Sequence, residues 1–287
     1  MSNLKETTKQ YYAERMSHVL EYIQANLDDP MSLDELAQIA CFSPYHFHRI
    51  FSGMVGESVK SYIKRLRLER AAVTLKRREL SVTDIAFDAG FLTHESFTRA
   101  FSNMFGVSPQ VFRKTNQSNI EHARVVFWKE VSMDVKVVEL KDMNVAYVRH
   151  NGPYEECKPA WENLCEWAGG NGILKPSARF LSLCHDDPKI TPREKIRHDA
   201  CMEIDPAIEV AAPVAKKTIE AGCYAVTVHK GSYMNLAETY AMLCGQWAPQ
   251  NGFEVDAKAS IQIYLNNYNT TPAEDLLTEV YVPLCQP

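Results

Sequence analysis

The chain has no apolar run near the roughly 20 residues that a bilayer-spanning helix needs. Its opening stretch, MSNLKETTKQYYAERM, lacks the apolar centre of a secretory signal. These absences argue against membrane and secreted classes and predict a cytoplasmic protein with no membrane partner. The eight cysteines (Cys41, Cys157, Cys165, Cys184, Cys201, Cys223, Cys244 and Cys285) include no C-x-x-C pair and no Cys/His cluster at zinc-site spacing. Packed, reduced thiols are expected, with no metal and no cofactor. A Gly-rich phosphate loop is lacking too, and no Ser-His-Asp arrangement is signalled, so catalytic residues are expected to be none and an enzyme is not indicated. What remains is an ordinary globular composition, 46% hydrophobic and 23% charged over 287 residues, long enough for two domains.

Charge divides the chain unevenly. Residues 1–120 carry 15 Lys and Arg against 13 Asp and Glu, whereas residues 121–287 carry 16 against 23. Within the first part, Lys60, Lys64, Arg65, Arg67, Arg70, Lys76, Arg77 and Arg78 are opposed in their own stretch only by Glu69. Such a run suits phosphate contact, although a solvated helix face has the same composition.

An internal repeat lies in this part. LDELAQIACF (33–42) and VTDIAFDAGF (82–91) align at an offset of 49, matching Ala37 with Ala86, Ala40 with Ala89 and Phe42 with Phe91. At an offset of 50, Phe47, Arg49, Phe51, Ser52, Met54, Gly56 and Ser58 then meet Phe97, Arg99, Phe101, Ser102, Met104, Gly106 and Ser108. Rigid blocks joined by a loop that tolerates one residue give this pattern. Ser32-x-x-Glu35 and Ser81-x-x-Asp84 have the spacing that satisfies free amides at a helix start. Ser43-Pro44 and Thr93 restart a second helix in each unit. Those second helices carry apolar stripes at Phe47, Ile50, Phe51 and Met54, and at Phe97, Ala100, Phe101 and Met104. The opposite faces, expected to be free, offer Tyr45, His46, His48 and Arg49 in one unit and His94, Glu95, Thr98 and Arg99 in the other, side chains suited to base edges. A helix over about 58–78 should separate the units, and a helical stripe of Tyr12, Met16, Val19, Leu20, Ile23 and Leu27 should pack behind the first. About seven helices are therefore expected in an all-α domain over 1–116.

The stretch S-P-Y-H-F-H-R-I-F through Y-I-K-R-L-R-L-E-R-A to D-I-A-F-D-A-G-F and F-G-V-S-P-Q-V-F-R-K resembles the AraC/XylS DNA-binding domain. The resemblance implies a double helix-turn-helix that binds double-stranded promoter DNA and works with RNA polymerase. It also implies base-contacting positions at Tyr45, His48, Arg49, His94, Glu95, Thr98 and Arg99. The family more often has Trp or Gln-like residues in place of Tyr45, His48 and His94, so the operator sequence does not carry over.

Polar residues 117–126 read as a linker, and the composition then turns to strands. VAYVRHNGPY (145–154) matches YAVTVHKGSY (224–233) at an offset of 79, and Trp167, Asn171 and Gly172 match Trp247, Asn251 and Gly252 at 80, as Asp199 matches Glu279. Residues 127–287 are thus expected to form an α+β domain of two pseudo-symmetric strand-helix-strand-strand halves, with a seam between them. Tyr147, Trp167, Phe180, Tyr233, Trp247, Tyr264 and Tyr281 could line a small-molecule pocket there, or could simply pack the core. Glu279 stands in L-L-T-E-V-Y-V-P-L, where a carboxylate is costly to bury unless paired. It should either face a cation or point outward with Tyr281, which shares its side of the strand.

The duplicated H-x-G-x-Y turns and the terminal T-E-V-Y-V-P-L resemble a GyrI-like effector-binding domain, which gives a Rob-like order of domains. The resemblance implies that Glu279 sits among aromatics in a cavity for an amphipathic or cationic small-molecule effector, and that the chain is a ligand-modulated transcription regulator, an activator. A protein-interaction module, or a hydrolase using Glu279 with Tyr233 or Tyr264, is the alternative for this domain.

Overall fold

The computed structural model describes residues 2–77, 80–114, 127–175, 178–188 and 191–285. The expected linker over 117–126, and Arg78 of the basic run, lie outside the described residues.

Among the described residues seven helices form the N-terminal part: α1 (Ser2–Ala25), α2 (Leu33–Ile39), α3 (Pro44–Val55), α4 (Val59–Arg77), α5 (Val82–Asp88), α6 (His94–Phe105) and α7 (Pro109–Lys114). The local chemistry read from the sequence sets their starts. Ser32 Oγ accepts from the Glu35 amide, and the Glu35 carboxylate returns to the Ser32 amide. Ser43, Ser81 and Thr93 accept from the amides of His46, Asp84 and Ser96. Gly56 and Gly106 end the two 12-residue helices at φ 86° and 76°, a left-handed conformation that costs glycine nothing. The two units are copies down to their caps.

In the C-terminal part come β1 (Lys136–Leu140), β2 (Met143–Asn151), α8 (Lys158–Gly170), β3 (Phe180–Cys184), β4 (Arg197–Glu203), β5 (Ala215–Ile219) and β6 (Gly222–Lys230). Next are α9 (Leu236–Met242), continued through one π turn (Leu243–Trp247) into α10 (Ala248–Gln250), then β7 (Ser260–Tyr264) and β8 (Leu277–Leu284). The eight strands of the described residues make one antiparallel sheet in the order β1-β6-β8-β7-β3-β4-β2-β5. The expected halves are present as β2-α8-β3-β4 and β6-α9-β7-β8. Each also has a leading strand that the sequence reading missed, and each leading strand pairs with the other half: β1 with β6 and β5 with β2. This exchange knits the two halves together at both edges.

The helices cover one face of the sheet. On the other face, Met143, Val145, Leu181, Leu183, Cys201, Tyr224, Val226, Ile261, Ile263 and Tyr281 are buried, with Val138, Leu140 and Ile219 of the edge strands packed against them. Among the described residues no helix contributes to that cluster, so the sheet curls to bury its own far side.

Core packing does not follow the sequence blocks. One cluster runs from Tyr12, Met16, Phe47, Ile50 and Phe51 of the first unit into Tyr240, Leu243, Cys244, Val280 and Val282 of the C-terminal part. The second unit has a separate core of Leu68, Ala71, Ala72, Leu75, Val82, Ile85, Ala86, Ala89, Phe97, Phe101 and Phe112. Helix α4, roughly 28 Å long at 1.5 Å per residue, contributes Val59 and Tyr62 to the first core and Leu68 to Leu75 to the second.

Candidate nucleic-acid interface and ligand groove

Equal helices have unequal surroundings. In α6 only Phe97 and Phe101 are buried, and the reading face is open: Glu95 and Arg99 are exposed, while His94 and Thr98 are half-buried and bonded to each other, Thr98 Oγ1 to His94 Nε2 at 3.4 Å. In α3 the buried set grows to His46, Phe47, His48, Arg49, Ile50, Phe51, Gly53 and Met54. The expectation of a free face in the first unit is therefore corrected, because that face is packed against the C-terminal domain.

Polar contacts fix this docking. Tyr45 Oη donates to the Cys184 carbonyl at 2.8 Å, at the end of β3. His48 Nδ1 lies 3.2 Å from Asp187 Oδ2, and Arg49 Nε lies 3.8 Å from the same oxygen. Arg49 Nη1 donates to Ser260 Oγ at 3.2 Å, and its guanidinium stands 3.8 Å from the Tyr240 ring centroid and 4.4 Å from that of Tyr45. A desolvated cation over an aromatic face contributes about 2 kcal/mol. Burial alone would lower the Arg49 pKa, but Tyr45, Tyr240 and Asp187 outweigh it and hold the group above its ordinary value, so it stays charged.

Backbone packing is equally close. A Cβ on Gly53 would fall 2.1 Å from the Ala241 carbonyl, and one on Gly245 would fall 2.7 Å from the Ile50 carbonyl. Two glycines let α3 and the π turn touch backbone to backbone. Gln246, fully buried, donates to the Gly53 carbonyl at 2.6 Å and the Phe127 carbonyl at 2.7 Å, and accepts from the Lys129 amide at 3.0 Å. The π turn is what brings this amide to the end of α3.

His46 gives the docking a pH dependence. Burial first, and then the Arg49 charge, push its pKa down to about 3. Released into water it would return to its ordinary value of about 6.5. Between these values the open form binds the extra proton, so the His46 contribution is complete above about pH 6.5 and is lost as pH falls. At pH 5 the docked form should be weaker by about 2 kcal/mol. The groups facing this ring are Arg49 on α3, Asp187 after β3 and the backbone of Asp256 and Lys258 before β7. Hydrogen exchange of the α3 amides, corrected for intrinsic rates, should rise between pH 7.5 and 5 in the native protein and stay level in His46→Phe.

The basic run on α4 is partly consumed by the fold. Arg65 binds Glu57 at 2.7 Å and Glu69 at 2.9 Å, Arg67 donates to the Leu27 and Asp29 carbonyls, and Arg70 pairs with Asp28. Lys60 and Lys64 remain exposed.

The seam expected between the halves, the α8–α9 groove, runs between those helices over β3 and β7 and is lined by aromatic side chains in contact. Trp161 meets Tyr264 edge-on at 5.7 Å, Phe180 at 6.2 Å and His198 at 6.0 Å, and Tyr233 meets Tyr264 at 5.5 Å. Ser182 Oγ lies 2.7 Å from both His198 Nε2 and Tyr264 Oη. Burial lowers the His198 pKa to about 4 and raises the Tyr264 hydroxyl well above its usual range, so both are neutral at pH 7. The side chains of α3 enter the far end of this groove, at Cys184, Tyr240 and Ser260.

The eight aromatic and acidic residues expected to share one pocket are divided by the sheet. Phe180, Tyr233 and Tyr264 lie on the helix side. Register pairs Tyr264 with Thr278 and Ile263 with Glu279, so Glu279 falls on the curled face with Tyr147 and Tyr281. There Tyr281 Oη donates to Glu279 Oε2 at 2.9 Å. Trp167 packs into the core between α8 and the sheet, and Trp247 stacks on Phe253 with rings 7° from parallel. The arrangement a Glu279 hydrolase would need, with Tyr233 or Tyr264 beside the carboxylate, is thus not formed. Sequence reasoning also missed Trp161, Tyr240 and His198. Trp161 follows the buried Ala160 on α8, a position that the helical period assigns to the inner face.

Of the cysteines, Cys184, Cys201, Cys223 and Cys244 are buried as expected, and burial raises the thiols of Cys184 and Cys244 to about 12. Cys41 and Cys285 are instead exposed.

Comparison with known proteins agrees with this architecture. Residues 133–284 match the family of the GyrI-like small molecule binding domain, and residues 36–115 match a helix-turn-helix domain family. The transposon Tn10 TetD protein of Escherichia coli is 32% identical over 118 residues, covering 41% of this chain and 86% of TetD. The HTH-type transcriptional activator AarP of Providencia stuartii is 35% identical over 104 residues, covering 36% and 77%. The transcriptional regulator Rob of Salmonella typhimurium is 33% identical over 99 residues, and the match spans about a third of each chain, 34% of both. The chain belongs to the AraC-type helix-turn-helix family and carries, as its C-terminal part, a GyrI-like small molecule binding domain.

Proposed function

We propose that the chain is a sequence-specific DNA-binding transcription regulator, an activator working with RNA polymerase at promoter DNA. Its activity is modulated by a small amphipathic or cationic effector held by the C-terminal domain. The observation that carries this reading is the open face of α6, which presents Glu95 and Arg99 to solvent from a helix capped at both ends as its twin is. The name of AarP supports the activator role. For the effector, Trp161, Tyr233 and Tyr264 offer ring faces in the groove, while Glu279 with Tyr147 and Tyr281 offers a carboxylate on the reverse side. One small ligand meets one set or the other. Tetraphenylphosphonium binding that survives Glu279→Gln places the effector in the groove; binding lost in that variant places it on the curled face.

DNA recognition is tested by selecting binding sites from a random duplex library and comparing selected with scrambled duplexes in gel shifts at several salt concentrations. Arg99→Ala should cost about 1–3 kcal/mol on the selected site, the value of one good base contact, with a smaller effect on scrambled DNA. Equal affinity for both duplexes would overturn the reading.

A further inference from the structure

Arg49 occupies a position that in the second unit, at Arg99, is open to solvent. The chemistry around it is that of a receptor site rather than a chance contact. An aromatic face, Tyr240, stands 3.8 Å away, a hydroxyl, Ser260, accepts at 3.2 Å, and a buried carboxylate, Asp187, lies 3.8 Å from Nε. All three belong to the C-terminal domain. Ser260 is fully buried and Asp187 is 5% exposed. Arg49 itself is 5% exposed, and from its own helix Tyr45 stacks on the guanidinium at 4.4 Å.

We propose that the end of the α8–α9 groove is a binding site for a guanidinium-type cation and that Arg49 fills it as a built-in ligand, keeping the first reading helix docked and away from DNA. An external cation of the same class competes for Tyr240, Ser260 and Asp187. When it wins, α3 loses this anchor and the docking of its face is weakened. The inference rests, for its consequence, on the proposed function and on the DNA-reading role that the sequence resemblance implies for α3; the site itself rests only on the geometry. A ligand of this kind differs in place from one bound at Glu279, because the sheet separates the two.

Competition with an internal occupant has a quantitative signature. If Arg49 holds the site more than nine-tenths of the time, an external ligand binds the native protein at least tenfold more weakly than it binds the same site with the occupant removed. The experiment is calorimetric titration of the full chain with ethylguanidinium, with ethylammonium at equal ionic strength as the control. Arg49→Ala should bind ethylguanidinium at least tenfold more tightly than the native chain. Arg49→Ala/Tyr240→Leu should lose that gain, and ethylammonium should show no such difference. In the native protein, saturating ethylguanidinium should raise hydrogen exchange in α3 and leave α6 unchanged. Should Arg49→Ala fail to fold, Gly245→Leu replaces it, since it lifts α3 from the π turn without touching the site and should tighten ethylguanidinium binding likewise. Equal affinity of native and opened proteins, or no binding by the opened ones, would overturn the proposal. Tetraphenylphosphonium binding together with a failed ethylguanidinium titration would leave the effector reading intact while this one fell, and failed DNA selection with a positive titration would do the reverse.

Discussion

Asp199→Ala is expected to destabilise the C-terminal domain by about 3 kcal/mol and to lower its melting temperature by roughly 6–12 °C, at the 2–4 °C per kcal/mol that applies to a fold of this size. Asp199 is fully buried on the curled face of the sheet, and its carboxylate takes Arg149 at 2.6 Å, His185 at 2.8 Å and Lys217. Burial by itself would raise the Asp199 pKa, but the hydrogen bonds from Arg149, His185 and Lys217 outweigh it and hold the carboxyl far below the usual range. Removing it leaves three cationic or protonatable groups facing one another. The cost stays near the lower end of the 3–5 kcal/mol typical of a broken buried pair, because the Arg149 side chain is 41% exposed and can turn to water. The sign with pH follows from the depressed pKa. The contribution of Asp199 is complete above its unfolded value of about 3.9 and is lost as pH falls below it. Urea melts at pH 7 and pH 3 should therefore show a smaller difference between native and variant at the lower pH. An equal destabilisation at both would show that the carboxylate acts by packing and not by charge.

Asp199 and Glu279 are repeat partners, and their contrast shows how far symmetry in a sequence reaches. The repeat correctly places both carboxylates in the last strand of their halves and on the same face. It does not say that one will be held by an arginine, a lysine and a histidine and the other by one tyrosine hydroxyl, because Arg149, His185 and Lys217 arrive from β2, the loop after β3 and β5. The face of Glu279 was legible relative to Tyr281, two residues on. Relative to Tyr233 and Tyr264 it depended on strand register, and a shift of one residue decides which side of a sheet a side chain meets. The edge strands β1 and β5 were missed for a similar reason. Each finds its partner in the opposite half, and β1 alternates only weakly between exposed and half-buried positions. Capping, by contrast, is chemistry within three residues, and Ser32, Ser43, Ser81 and Thr93 were readable at sight.

The docking of α3 left one trace in the sequence. The units share S-x-M-x-G, but Gly53 stands where the second unit has Asn103. Glycine inside a helix costs about 1 kcal/mol relative to alanine and calls for a packing reason. That reason is Gly245, on a helix nearly 200 residues further along the chain, and no local pattern announces it. The twin reading faces were therefore legible as chemistry, whereas their different accessibility was not.

The same asymmetry makes the second unit separable in stability. Phe101→Ala should cost about 3–5 kcal/mol, the usual loss for a large ring removed from a closed core. Phe101 is fully buried, with ring centroids of Phe97, Phe105 and Phe112 at 5.5, 4.4 and 5.3 Å. Its cluster draws only on α4 to α7 with their flanking residues, and a loss of this size in so small a core should unfold the unit below the melting temperature of the remainder. Calorimetry should then resolve two transitions, and exchange protection should vanish in α5 to α7 while persisting in α1 to α3. Phe51→Ala removes the repeat-equivalent ring at the same intrinsic cost. Its core, however, is continuous with Tyr240, Leu243, Cys244, Val280 and Val282. The first unit should therefore fall together with the C-terminal domain, in a single transition moved to lower temperature. Matching profiles for the two variants would mean that α3 and α6 are equally independent of the C-terminal domain, and the docking of the first reading helix would have to be abandoned.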